Sequence, residues 1–98
     1  MALPQLAFTR LAGTSAAGRL LVVGPSLGTS VTALWARCAA QIASSTPTGD
    51  PDGGIEVIGW DLPGHGLSSP ASRPFTVDDL AEAVAEHTAL VAAGRTVS

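Results

Sequence analysis

Four apolar residues in succession, Leu20 to Val23, stand between Arg19 and the Gly24–Pro25 pair. A run without alternation offers no face to water, so it predicts a strand covered on both sides, as in a parallel sheet sandwiched by helices. After a turn over 24–29, Ser30 is placed to cap a helix in which Leu34, Cys38 and Ile42 recur every fourth position, with Trp35 and Ala39 alongside. Residues 44–54 carry two prolines, three glycines and no apolar side chain, which predicts a surface loop tolerant of insertion. Ile55, Val57, Ile58 and Trp60 predict a second strand, interrupted by Glu56 and Gly59 and ending at Asp61.

Further on, Thr76 can cap a helix whose N-terminus is favoured electrostatically by Asp78, Asp79 and Glu82, and which Gly94 can end. Leu80, Val84, His87 and Val91 form its apolar stripe. Weak alternation over Leu6–Leu11 suggests an N-terminal strand, and Arg95–Ser98 can enter another. The order strand, helix, strand, helix argues for right-handed crossovers and an α/β fold with a mostly parallel sheet flanked by helices. Residues 1–98 are read as part of one such domain.

The composition changes this picture in one respect. The chain is 46% hydrophobic and only 13% charged, with a mean hydropathy of +0.35, whereas a small domain needs a large polar shell. Either its apolar elements are to be covered by layers from a longer polypeptide or a partner, or the abundance of alanine and glycine inflates the figure. A net charge of −3 with five Lys plus Arg leaves no clustered basic face for a phosphate backbone, so nucleic acid is not an expected partner. The single cysteine, Cys38, has no partner for an internal disulfide or a zinc site, which fits a reducing, cytoplasmic setting. No basic n-region with an apolar run opens the chain, and Leu20–Val23 is far too short to span a bilayer, so no membrane partner is expected either.

The most informative stretch is Asp61–Ser68, DLPGHGLS, directly after the second strand. Gly64 and Gly66 permit positive φ and Pro63 fixes the approach, so the segment suits a tight structural turn. Asp61, His65 and Ser68 have the residue types of a hydrolytic triad. Crowded into one turn, they are poorly placed for the two directed hydrogen bonds a triad requires, so they are not assigned that role.

This loop, with VIGW (Val57–Trp60) before it, resembles the loop after the fourth strand of α/β-hydrolases. LLVVGPSLGTS (Leu20–Ser30), followed by Trp35, resembles the enol-lactonase form of the turn after the third strand. There Ser26, Leu27, Gly28 and Thr29 match a Ser-Leu-Gly-Thr variant of the commoner His-Gly motif. Pro25 stands where enol-lactonases usually have a polar residue, and an extra residue separates the motif from Trp35. The chain is therefore most similar to the N-terminal part of the 3-oxoadipate enol-lactonase family. That resemblance implies lactone or carboxylic ester hydrolysis in the β-ketoadipate pathway of aromatic catabolism, by a Ser-Asp-His mechanism with no metal or organic cofactor. It also implies that the Leu27 backbone N–H is an oxyanion donor and that Ser26, Gly28 and Trp35 border the substrate, a small-molecule lactone or ester. One such donor supplies about 3–4 kcal/mol of transition-state stabilisation. On the residues alone, 24–29 can equally be a turn that only redirects the chain.

The nucleophile of such enzymes sits in a Gly-x-Ser-x-Gly elbow, and no such motif occurs in the sequence. Gly94–Ser98, GRTVS, resembles the segment leading into the elbow strand, so the triad is expected beyond residue 98 and the chain alone is expected to be inactive. His87 reads as a packed or partly exposed helix residue, Cys38 as a small buried hydrophobe, and Trp35 and Trp60 as core anchors, with Trp35 also able to border a cleft. Arg37 and Arg73 could bind a substrate carboxylate or simply solubilise the surface. Two alternatives remain: another small-molecule esterase or haloperoxidase-like hydrolase, and a non-catalytic interaction module that docks an exposed sheet edge on a partner.

Overall fold

Residues 3–45 and 54–98 are described by the computed structural model. The chain runs through β1 (Phe8–Ala12), β2 (Arg19–Val23), α1 (Val31–Ser44), β3 (Ile55–Trp60), α2 (Val77–Ala92) and β4 (Thr96–Val97). The strands form one sheet in the order β1-β3-β2-β4. β2 pairs in parallel with β3 and with β4, while β1 pairs antiparallel with β3. The sheet is thus mixed, with its two parallel pairings around β2, and the weak N-terminal alternation is a genuine edge strand that starts two residues and ends one residue later than expected. Its register slips between Arg10 and Ala12. Such an irregularity explains why the alternation reads poorly in sequence.

The unbroken run in β2 is covered on both faces. Val23 packs into a cluster with Val31, Ala39 and Val57, which Leu21, Trp35 and Ile42 border. Leu20 packs with Ile58 and Ala92, bordered by Val22, Phe8 and Val91. Successive residues thus feed opposite clusters, one under α1 and one under α2, as the pleat requires. Gly59 lets α1 come close. A Cβ there would lie 2.6 Å from Val31 Cγ2.

The inward stripe of α1 differs from the expected one. Val31 and Ala39 are fully buried and Trp35 half-buried, whereas Leu34 and Cys38 are exposed. The pattern of fours is present, but its register is set by Val31, held at the helix start beneath Asp61, and this turns the row through Leu34 and Cys38 to water. Cys38 is therefore a free, exposed thiol and not a buried hydrophobe. Of the expected 44–54 loop, Ser44 closes α1 and Ser45 caps it; residues 46–53 lie outside the described residues.

α2 begins where expected. The Thr76 hydroxyl accepts from Asp79 N–H, and the Asp79 carboxylate accepts from Thr76 N–H, a reciprocal capping box. The helix ends one residue before the expected glycine, with Ala93 in the left-handed region at φ 50 and Gly94 following at φ 84. Its stripe residue His87 lies flat on Phe8 of β1, with ring centroids 3.7 Å apart and 9° between the planes. Among the described residues, no helix is long and apolar enough to cross a membrane.

Candidate functional site

In open α/β sheets, ligands settle at the carboxyl ends of the strands where neighbouring connections leave to opposite sides. Here β2 connects through α1 to β3 on one side, and β3 returns through α2 to β4 on the other. The clusters under the two helices share no buried residue and draw on alternate positions of β2. For this topology the rule points to the carboxyl end of β2. The turn over 24–30 leaves from that end.

Local bonds fix this turn at both ends. At its start, Trp35 Nε1–H donates to the Gly24 carbonyl at 2.7 Å. At its end, the Ser30 hydroxyl accepts from Ala33 N–H at 3.0 Å and caps α1. Between them, Ser26, Leu27 and Gly28 are exposed, with Leu27 at 82%. Gly28 has φ 77, which favours glycine, and a Cβ there would meet nothing within 4 Å. Among the described residues, the Leu27 N–H donates to no protein group. The turn that carries this N–H is held at both ends by the Trp35 and Ser30 bonds. Trp35 is thus a fastening of the turn as well as a wall of the core.

The loop after β3 provides the second support. Asp61 is 1% exposed. Its carboxylate accepts from Val31 N–H at 2.7 Å through Oδ1 and from Leu67 N–H at 3.2 Å through Oδ2. A negative group at the start of α1 also meets the positive end of the helix dipole. The first N–H of α1 is consequently spent on Asp61 and is not free to face a cleft, unlike that of Leu27. Ser68 is buried as well; its hydroxyl donates to the Asp61 carbonyl at 2.7 Å and accepts from Ala7 N–H at 2.8 Å. His65 Nδ1 lies 3.0 Å from the Pro63 carbonyl. Each of these three side chains is thus engaged with main-chain atoms and not with the other two, so DLPGHGLS is a clasp joining β1, β3 and α1. Gly64 and Gly66 adopt φ 75 and φ 49.

Arg73 lines a cleft of about 270 Å³ whose walls include Pro4, Pro63, Ser69, Phe75 and Asp79. Ser26, Leu27 and Gly28 do not contribute to that cleft. Arg37 is exposed on the outer side of α1.

A charge cluster around the buried Glu56 escapes the reading of the sequence. Glu56, 4% exposed at the second position of β3, pairs with Arg10 Nε at 2.8 Å and Arg95 Nη1 at 3.0 Å. Burial alone would raise its carboxyl, but the hydrogen bonds and charges of Arg10 and Arg95 outweigh that and hold it below the ordinary carboxylate range. The available signal was a glutamate inside an apolar strand, which requires a partner. Among the described residues, no group of three or more His, Cys, Asp or Glu side chains could hold a metal ion. Comparison with protein-family models, curated proteins and solved structures finds no match to this chain.

Proposed function

We propose that the chain is the N-terminal part of an α/β-hydrolase that cleaves small lactones or carboxylic esters, with the Leu27 N–H as one oxyanion donor. The observation that carries this reading is the placement of β4. Beyond Thr96 and Val97, Ser98 N–H donates to the Leu20 carbonyl and Val22 N–H donates to the Ser98 carbonyl, both at 2.9 Å, so the pairing with β2 runs on through Ser98. Parallel strands advance together. About three residues beyond Ser98, a continuing strand would stand level with Gly24. A strand-to-helix elbow there would set a serine beside Ser26–Gly28, which is how this mechanism pairs nucleophile and oxyanion hole.

Gly28, with no side chain over the turn, leaves room for the substrate, and Ser26 and Trp35 flank the approach. The enol-lactone substrate and a place in aromatic catabolism rest on the Ser26–Thr29 likeness alone, as does a cytoplasmic setting on the lone thiol. Arg73 is not enlisted, since the cleft it lines is walled by other residues. The 98 residues alone supply an oxyanion turn and no activated nucleophile, because the Ser68 hydroxyl is engaged with main-chain groups.

The test is to read the source DNA past the Ser98 codon and express the continued product. A Gly-x-Ser-x-Gly within about ten residues, whose serine takes a fluorophosphonate label, is the expected result. A stop codon or a continuation without that motif overturns the reading.

A further inference from the structure

We propose that the cleft between β1, β3 and α2 binds a small monocarboxylate, with the free edge of the Arg10 guanidinium as its anchor. The cleft measures about 230 Å³, and its walls include Phe8, Arg10, Glu56, Ile58, Val91 and Arg95. It holds two of the chain's five cationic residues, in a protein of net charge −3. Positive charge is thus concentrated where the rest of the chain is acidic.

The three charged side chains are arranged in series. Every nitrogen of the Arg95 guanidinium has a partner: Nε donates to the Ala92 carbonyl, Nη2 to the Val91 carbonyl, and Nη1 to the Ala17 carbonyl and Glu56. It holds Glu56 from one side, and Glu56 holds Arg10 from the other through Nε alone. Among the described residues, the two terminal nitrogens of Arg10 have no partner, and its side chain is 51% exposed. A guanidinium immobilised at Nε presents its remaining N–H groups in the planar fork that carboxylates accept in pairs. The ordering cost of the arginine is already met by Glu56, so less is lost on binding.

Charge and shape narrow the ligand. Two guanidinium groups against one carboxylate, with the His87 ring also in the wall, leave a single formal positive charge, which one anionic charge neutralises; a dianion would face Glu56 uncompensated. Phe8, Ile58 and Val91 supply apolar walls for a short hydrocarbon body. Hexanoate, one carboxylate on a short hydrocarbon body, has the chemistry that Arg10 and these walls would take. Glu56 lies at the second step of β3, toward the end of the sheet away from the 24–30 turn, so the site is independent of the proposed oxyanion site.

The experiment is a titration of the ¹⁵N-labelled 98-residue chain, followed by amide and Arg Nε–H shifts, with hexanoate, hexanamide, acetate and inorganic phosphate. Hexanoate is expected to give saturable shifts at Phe8, Arg10 and Val91, with a Kd below about 10 mM. Acetate should bind at least about tenfold more weakly for lack of wall contacts, and hexanamide and phosphate should not saturate. Arg10→Gln and Arg10→Lys should each weaken hexanoate at least about tenfold, the lysine because a point charge replaces the fork. Equal shifts from hexanamide and hexanoate on the unaltered chain, or shifts that grow linearly to the highest concentration, overturn the proposal whether or not either variant folds. Saturation by phosphate in place of hexanoate would also overturn it.

Discussion

The Asp61 carboxylate accepts the first N–H of α1, from Val31, at 2.7 Å. This bond joins the end of β3 to the beginning of a helix thirty residues earlier, and it sets which face of that helix turns inward. Val31 is completely buried there, packed with Val23, Ala39 and Val57.

Replacing Asp61 with alanine should cost about 2–5 kcal/mol, because it leaves buried Val31 and Leu67 donors unsatisfied. Asparagine keeps the shape but can accept through only one oxygen, so its amide group would face an N–H. Its cost should fall between zero and that of alanine. Urea denaturation measures both, and amide exchange should quicken at Val31 and Leu67 ahead of the β2–β3 ladder.

Glu56 makes stability depend on pH in a defined direction. Its folded carboxyl lies below the ordinary value, so between the folded and unfolded values the unfolded chain binds more protons and stability rises with pH. The contribution is complete above the ordinary carboxylate value of the unfolded chain and is lost as pH falls through the folded one. Unfolding free energies measured across that acid window should show a slope in the unaltered chain that is reduced in Glu56→Gln. An equal slope in the variant would assign the dependence to other carboxylates.

The parts of this molecule legible in its sequence are those set by local pattern. The bare run Leu20–Val23 announced two covered faces, and Thr76 with Asp79 announced a helix start. The phase of α1 was not legible: Leu34, Trp35, Cys38 and Ile42 fit two neighbouring stripes, and the choice depends on a bond from Asp61 thirty residues away. The antiparallel β1 was blurred by its register slip. At the candidate site, Ser26–Thr29 could be singled out as a turn, but the Trp35–Gly24 bond and the clasp of Asp61 and Ser68 need the folded chain. Arg10, Glu56 and Arg95 stand far apart in sequence and meet only across the sheet.

Gly66 and Gly28 separate two reasons for glycine. Both have positive φ, at 49 and 77. A Cβ on Gly66 would run into the Asp61 carboxylate, whereas one on Gly28 meets open space. Gly28→Ala should therefore cost only the backbone term, about 1–2 kcal/mol. Gly66→Ala should cost more, about 3 kcal/mol, since it also displaces a buried carboxylate from its donors. Thermal unfolding of the two variants gives the order; equal losses would mean that the Asp61 clasp yields without penalty.

Trp35→Phe tests whether the 24–30 turn is fastened or merely covered. Phenylalanine keeps most of the ring against Val31 and Ala39 but removes the Nε1–H that donates to the Gly24 carbonyl. The loss should be modest in stability, about 1–2 kcal/mol, since one hydrogen bond and some ring area disappear. Its larger effect should be local: amide exchange across 26–29 should accelerate while that of the β2–β3 ladder is nearly unchanged. If instead the turn and the ladder quicken together, Trp35 acts through the core alone, and the exposed Leu27 N–H owes its position to Ser30 and Asp61.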